Sequence, residues 1–180
     1  MTWNILYNPI KQTGTLAEVY LDDNNTLIKK IYKEEGITVS GKPTVYTTGQ
    51  IREAFENELH WLKELESKWV PELVDVGDNW LTQKYYGPDL LENYMSKTLW
   101  EDVPSISNQV IDMYKFFKEK NVFKRNGSLS NLTVHNGQLV AFDFKWARKR
   151  PTGIEMELKS YNEWLVKIDP DLTKTLTDMI

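Results

Sequence analysis

The hydrophobic pattern in the first half of the chain alternates between the period of a strand and that of a helix. Segments 16–21 and 26–32 carry β-branched and aromatic side chains and flank the Asp and Asn residues at 22–25. Turn-forming residues between two such segments predict a β-hairpin. The same pattern predicts shorter strands at 73–76 and 80–85, and it predicts either a smaller hairpin or an ordered loop for segments 37–39 and 44–47.

One segment among these strands has the period of an amphipathic helix. Over residues 50–68, one face is formed by residues at steps of three or four: Ile51, Phe55, Glu58, Leu62 and Leu65. A carboxylate on the buried face of a helix is unfavourable by several kcal/mol unless it is paired. Glu58 therefore predicts a cationic partner elsewhere in the fold, and Pro71 is expected to follow the end of the helix.

The second half of the chain is predicted to be mainly helical, with one hairpin. Helical periodicity covers the segments 90–94, 105–120, 156–166 and 171–179. Between them, strands at 132–134 and 139–142 are joined by an Asn-Gly pair, which is a strong signal for a two-residue turn.

A break between these halves is predicted at the Gly-Pro-Asp sequence of residues 87–89. The expected organisation is a β-rich lobe with one helix at 1–87 and a shortened helical lobe at 88–180. The fold class that follows is α+β.

Composition removes several classes of function. The 180 residues include no cysteine and two histidines, so thiol chemistry and cysteine-ligated metals are excluded, and a multi-histidine metal site is not expected. The net charge of −4 disfavours a dedicated nucleic-acid binder. No apolar run approaches the roughly 18 residues that span a bilayer, and no signal peptide is evident at the N-terminus. We therefore expect a cytoplasmic protein with no membrane partner.

Four features that could carry chemistry occur in a fixed order along the chain. They are a glycine at the start of the first hairpin, a lysine on its second strand, the helix glutamate, and an asparagine followed twelve residues later by an aspartate. The residues concerned are Gly14, Lys29 or Lys30, Glu58, Asn131 and Asp143. Because adjacent strand residues face opposite sides of a sheet, only one of the two lysines can reach a shared site.

This set resembles the protein-kinase-like superfamily, which includes small-molecule kinases of the aminoglycoside and choline type. The Phe-Asp-Phe-Lys sequence at 142–145 stands where the family has Asp-Phe-Gly, and residues 126–131 stand where it has Asp, four residues and Asn. The resemblance implies a two-lobed kinase-like fold with an antiparallel β N-lobe, one N-lobe helix and a truncated, mainly helical C-lobe. It also favours Lys30 over Lys29, because a cation directly before Ile-Tyr is similar to the small-molecule kinases.

The resemblance further implies ATP and magnesium between the two lobes. Lys30 would contact phosphates and Glu58 would orient it, while Asn131 and Asp143 would hold the metal. The remaining nucleotide contacts would come from Gly14 and from the backbone near Gln83, Lys84 and Tyr85.

Three positions depart from the family pattern. Asn126 stands at the place of the catalytic aspartate, and an amide can orient a hydroxyl but cannot accept its proton. Lys124 replaces a histidine, where we hypothesise that it stabilises charge on the transferred phosphoryl group, and Lys145 replaces a glycine. Only 37 residues follow Asp143, so the peptide-binding shelf of a protein kinase is expected to be missing.

Two functions from different classes remain open. The first is a minimal phosphotransferase acting on a hydroxyl of a small molecule or of a protein. The second is a catalytically inactive pseudokinase that binds a protein or nucleic-acid partner. A basic cluster is either an ordinary solvated loop or a surface that binds phosphate, an acidic protein or single-stranded nucleic acid. Its residues are Lys145, Arg148, Lys149 and Arg150, with Trp146 among them. The compact domain suggests a streamlined source such as a phage, in which case the location would be the host cytoplasm.

Overall fold

The computed structural model describes residues 2–7, 16–33, 37–38, 45–88, 103–124 and 131–149. The chain divides into two compact units, one formed by Met1–Ser67 with Pro71–Tyr86 and the other by Lys68–Val70 with Gly87–Ile180. The lobe boundary placed after Gly87 by the sequence stays a prediction. Several predicted features lie outside the described residues, namely Gly14, Asn126, Arg150 and the helices at 90–94, 156–166 and 171–179.

The first unit is built on a five-stranded antiparallel sheet with the order β1-β2-β3-β7-β6. A separate two-stranded ladder joins β4 to β5. The strands of the unit are β1 (Trp3–Tyr7), β2 (Ala17–Asp22), β3 (Leu27–Tyr32), β4 (Ile37–Thr38), β5 (Val45–Tyr46), β6 (Leu73–Val76) and β7 (Trp80–Lys84). The predicted strands are confirmed to within about two residues. Strand β1 was not predicted, because at the sheet edge Ile5 and Leu6 are exposed and give no alternating pattern.

The β2–β3 hairpin is closed by the buried carboxylate of Asp22. One oxygen accepts the backbone N–H groups of Thr26 and Leu27, each at 2.7 Å, and the other accepts the Thr26 hydroxyl at 2.9 Å. Burial raises the pKa of Asp22, but the hydrogen bonds from Leu27 and Thr26 outweigh it, so the net pKa lies below its usual value. Asn25 takes the left-handed conformation that the turn requires, with φ 54°.

Helix α1 (Thr48–Glu64) begins with a capping box. The Thr47 hydroxyl accepts the Gln50 N–H at 3.3 Å, and the Gln50 side chain accepts the Thr47 N–H at 3.0 Å, which satisfies two donors at the start of the helix. The helix ends before the predicted residue 68, because the chain leaves helical geometry at Leu65. Its buried face contains four of the five predicted residues and adds Ala54 and Trp61: Ile51, Ala54, Phe55, Glu58, Trp61 and Leu62. The fifth predicted residue, Leu65, is buried at the C-cap of the helix.

The second unit contains, among its described residues, one helix and four short strands. They are α2 (Val103–Glu119), β8 (Val122–Phe123), β9 (Leu132–His135), β10 (Gln138–Ala141) and β11 (Arg148–Lys149). The predicted β9–β10 hairpin is confirmed, with Asn136 and Gly137 at φ 51° and 76° as a two-residue turn requires. Gln109 of α2 fixes this hairpin by accepting the Leu139 N–H at 2.8 Å and donating to the Gly137 carbonyl at 2.7 Å. A mainly helical C-lobe stays a prediction.

Within the ranges described, neither helix is long and apolar enough to cross a membrane.

Candidate functional site

Lys30 and Glu58 form an ion pair inside the first unit. The Lys30 ammonium lies 2.5 Å from one carboxylate oxygen of Glu58, and the Tyr32 hydroxyl donates to the other. Glu58 is 1% exposed and the Lys30 side chain 13% exposed. Glu58 therefore has the cationic partner that its burial predicted. The Tyr32 hydroxyl satisfies the carboxylate oxygen that Lys30 does not contact.

The sheet register explains why Lys30 and not Lys29 reaches Glu58. Lys30 lies opposite Val19 and Leu81, on the sheet face that also carries Tyr32. Lys29 faces the other side, where its ammonium lies 3.9 Å from the centre of the Trp80 ring. The two lysines are adjacent in sequence but lie on opposite faces of the sheet, so their environments differ.

Gln83 is buried on the same sheet face as Lys30. It follows Leu81, the cross-strand partner of Lys30, by two residues and lies opposite Ile28. It is 4% exposed, and in the part of the chain that the structure describes its Oε1 atom has no hydrogen-bond partner. A buried acceptor without a donor is unfavourable, typically by about 1–3 kcal/mol, and such an atom is a candidate ligand contact.

The neighbouring residues Lys84 and Tyr85 have their backbone N–H groups in use. The Lys84 N–H donates to the Glu72 carbonyl at 2.9 Å, and the Tyr85 N–H donates to the Thr26 carbonyl at 2.8 Å. The exposed Lys84 side chain pairs with Glu72, and this hydrogen bond raises the pKa of the lysine. The adenine contact expected near 83–85 therefore has to use groups other than these two amides.

The first unit also has a pocket of about 300 Å³ along helix α1, lined by Tyr32, Ile51, Phe55 and Asn79 among others. Its lining includes neither Lys30 nor Gln83, so we do not assign it to the candidate site.

In the second unit, Asp143 is bound by the lysine two residues further along the chain. The Lys145 ammonium lies 2.6 Å from Oδ1 and 2.7 Å from Oδ2 of Asp143, and the side chains are 11% and 16% exposed respectively. Asp143 has φ 66°, a left-handed conformation that few non-glycine residues adopt. The Phe144 side chain is fully buried beside Phe117. The backbone carbonyl of Phe144 accepts the Ala147 N–H at 2.9 Å, and this hydrogen bond closes the turn.

This geometry tests whether Asp143 fits the expected magnesium ion. Carboxylate oxygens are the ligands that magnesium prefers, but here one ammonium group occupies both of them. No group of three or more potential metal-ligating side chains occurs within the described ranges. As the pair stands, Asp143 does not fit a divalent cation without displacement of Lys145.

The other predicted residues of this unit have different environments. Asn131 is half-buried, and its carbonyl accepts the Phe142 N–H at 3.0 Å, where the hairpin ends. Lys124 is fully buried, with its ammonium 5.3 Å from the centre of the Phe144 ring. The role of Lys124 in stabilising a transferred phosphoryl group stays a prediction.

The basic cluster is not a uniform exposed patch. Lys145 is largely buried against Asp143, whereas Arg148 and Lys149 are exposed on β11. The Arg148 guanidinium lies 5.3 Å from the centre of the Phe123 ring. An acidic partner at this cluster stays a prediction, and Lys145 would contribute little to its binding.

Two contacts were missed by sequence reasoning. Tyr32 follows Lys30 by two residues on one strand, so the strand period could have placed both on the face of Glu58. Lys145 was noted only as a departure from the family pattern and as part of the basic cluster. Its contact with Asp143 depends on the left-handed backbone of that residue, for which the sequence gives no direct signal.

Comparison with solved structures supports a kinase-like fold. A crystal structure of WbdD matches with a TM-score of 0.63 at 13% identity over 94% of this chain. A second structure of WbdD, in complex with the kinase inhibitor LY294002, matches with a TM-score of 0.61 at 12% identity over 91% of this chain. The chain spans 37% of the WbdD chain in both cases, and at this identity the likeness shows the fold alone. No family model and no curated protein matches the sequence.

Proposed function

We propose that this chain is a kinase-like nucleotide-binding protein with ATP as its ligand. The observation that carries the proposal is the ion pair of Lys30 with the buried Glu58. A buried ion pair contributes little net stability compared with apolar residues of similar volume, so a role in orienting a charged group is a better account of it. The carboxylate is almost completely buried while the ammonium keeps some exposure, which suits a lysine held in place to contact phosphate.

Gln83 gives a second reason to propose a nucleotide. Its buried Oε1 lies on the same sheet face as Lys30 and has no donor among the described residues. The exocyclic amino group of adenine is such a donor, and a hydrogen bond to it would remove the penalty of the unpaired acceptor. We therefore assign the Gln83 side chain, in addition to nearby backbone groups, to contact with the base.

The proposed fold is the two-lobed kinase-like one, with a truncated helical C-lobe. Phosphoryl transfer to a hydroxyl of a small molecule or protein is the finer form of the proposal. In it Lys30 would contact the phosphates, Lys124 and Asn126 would lie at the reacting groups, and Asn131 and Asp143 would hold a metal ion only if Lys145 were displaced. The transfer relies mainly on positioning and charge neutralisation, so the absence of a carboxylate at Asn126 does not by itself abolish it.

A second candidate function is that of a pseudokinase that binds nucleotide or a partner without transferring phosphate. The observation in its favour is the contact of Lys145 with both oxygens of Asp143. A carboxylate held in this way is less available to a catalytic metal ion.

The test is a titration with ATP, monitored through tryptophan fluorescence, of the wild type and two single variants. Lys30→Met and Lys29→Met remove the same charge from adjacent residues on opposite faces of β3. We expect ATP to bind the wild type and Lys29→Met alike and to bind Lys30→Met at least about tenfold more weakly. Equal affinities for all three proteins would contradict the assignment of Lys30.

A further inference from the structure

The pocket along helix α1 is a feature of the first unit that the candidate nucleotide site does not use. The buried part of its lining consists of Tyr32, Ile51 and Phe55, which are between 0% and 3% exposed. The rings of Tyr32 and Phe55 lie 5.4 Å apart and are inclined at 59°. A volume of about 300 Å³ is at the lower end of the range for small-molecule sites. The pocket therefore has room for one aromatic group on a short chain.

The walls of this pocket are tied together by hydrogen bonds between three elements. The Tyr32 N–H donates to the Asn79 carbonyl at 2.8 Å, and the Asn79 side-chain amide donates to the Tyr32 carbonyl at 3.1 Å. From helix α1, the Arg52 guanidinium donates to the Asp78 carbonyl at 2.6 Å. The turn at 78–79 is thereby held to both β3 and α1, so the cavity is preformed and needs little rearrangement to admit a ligand.

The charged side chains of the lining leave one carboxylate at the rim without a cation. The Lys33 ammonium lies 2.5 Å from Glu18, and the Arg52 guanidinium lies 2.7 Å from Glu56. The Asp78 carboxylate is exposed, and among the residues that the structure describes it accepts no hydrogen bond and forms no ion pair. These two cations and three carboxylates give the mouth of the pocket a charge of −1.

We propose that this pocket is a second ligand site of the first unit, and that it binds a small molecule in which a short chain joins an aromatic group to an ammonium group. The aromatic group packs against the inclined rings of Tyr32 and Phe55, an arrangement that aromatic groups favour. The ammonium lies beside Asp78, where it offsets the local negative charge. An anionic ligand is disfavoured, because the lysine and the arginine of the lining already have carboxylate partners.

The pocket and the candidate nucleotide site share one residue but not their binding groups. The Tyr32 ring lines the pocket, whereas the hydroxyl of the same side chain donates to Glu58. Neither Lys30 nor Gln83 belongs to the lining, so an occupant of the pocket does not overlap with a nucleotide held by those residues. The two ligands should therefore bind at the same time.

The direct test is a titration of the full chain with phenethylamine, followed by ligand-observed saturation-transfer NMR. Two matched probes are 3-phenylpropionate, which carries a carboxylate in place of the ammonium, and butylamine, which lacks the ring. We expect phenethylamine to bind with a dissociation constant of about 1 mM, the order typical of a ligand of this size. It should bind at least about threefold more tightly than 3-phenylpropionate, and butylamine should show no binding.

Substitutions at the rim locate the site. Asp78→Asn should weaken phenethylamine binding about threefold and leave the binding of the uncharged probe benzyl alcohol unchanged. The matched control Asp75→Asn removes an exposed carboxylate outside the lining and should change neither. Thr48→Trp places an indole at the exposed start of α1 within the lining and should abolish binding of both probes, whereas Glu53→Trp, outside the lining, should not. Circular dichroism checks that each variant keeps the fold.

Equal affinity for phenethylamine and 3-phenylpropionate would overturn the proposal, as would binding that survives Thr48→Trp or the absence of binding by the wild type at about 20 mM. A repeat of the phenethylamine titration in saturating ATP separates this site from the candidate nucleotide site. An unchanged affinity supports a second site, and competition by ATP overturns it. If ATP does not bind the chain, the proposed function fails, while the three probes and the rim variants still decide whether the pocket binds an aromatic ammonium.

Discussion

Removal of Lys30 should destabilise the folded protein strongly, because it leaves Glu58 buried without its cation. Glu58 is 1% exposed, and of its two hydrogen-bond partners described above only the Tyr32 hydroxyl would remain. Breaking a buried ion pair by deleting one partner typically costs about 3–5 kcal/mol. We expect Lys30→Met to lower the free energy of unfolding by about this amount.

A double-mutant cycle separates the pair from its surroundings. Glu58→Gln keeps an oxygen that can accept the Tyr32 hydroxyl but removes the charge. In the double variant Lys30→Met/Glu58→Gln no buried charge is left unpaired, so the double variant should be more stable than Lys30→Met alone. The expected interaction energy between the two positions is about 2 kcal/mol or more.

The assay is urea denaturation with linear extrapolation, with the slope of each curve compared to confirm that all variants unfold from the same state. The matched control is the cycle on Lys115 and Asp112, whose exposed side chains lie 3.9 Å apart on helix α2. That pair should show an interaction energy of at most about 0.5 kcal/mol. A cost below about 1 kcal/mol for Lys30→Met would refute the view that Glu58 depends on this lysine.

Three further predictions concern the hairpins and the candidate base contact. The pKa of Asp22 is held below its usual value by hydrogen bonds that require the charged form, so its stabilisation is present above the unfolded pKa of about 3.9 and is lost as the pH falls through the lower folded pKa. Asp22→Asn should therefore flatten the acid limb of a stability–pH profile, and an unchanged acid limb in this variant would contradict the assignment to Asp22. Gln83→Leu removes a buried acceptor that has no hydrogen-bond partner among the described residues, so it should stabilise the ligand-free protein by about 1 kcal/mol in urea denaturation. The same variant should weaken ATP binding. A loss of stability would contradict this account. Gly137→Ala should lower stability by about 1–2 kcal/mol because φ at this position is 76°, whereas Asn136→Gly should be neutral or stabilising because φ is 51°. Thermal melting compares the two variants, and a higher Tm for Gly137→Ala than for Asn136→Gly would be inconsistent with the turn geometry.

Much of the fold could be predicted from the sequence where burial repeats with a regular period. Helix α1 was predictable because its apolar residues recur at steps of three and four, and Glu58 on that stripe indicated a buried pair. The hairpin at 136–137 was predictable because Asn-Gly suits a turn in which both residues have positive φ.

The features that escaped prediction lack such a repeat. Strand β1 is an edge strand with exposed apolar residues. Strands β8 and β11 are two residues each and pair with one another from distant parts of the sequence, so no local turn sequence indicates them. The contact of Lys145 with Asp143 depends on one backbone angle, and the burial of Lys124 beside Phe144 depends on tertiary packing. The pattern of residue types suggested a metal site at Asp143, whereas the structure shows a lysine on both of its oxygens.

Nucleotide binding itself is tested most directly by thermal denaturation of the wild-type chain with increasing ATP, in chelator and in magnesium. A ligand at 100 times its dissociation constant stabilises the folded state by about 2.7 kcal/mol. For a chain of this length such a change corresponds to a rise in Tm of several degrees. The account predicts this rise when magnesium is present and its loss in the Lys30→Met/Glu58→Gln variant. An unchanged Tm of the wild type at millimolar ATP would contradict the proposal that the chain binds a nucleotide.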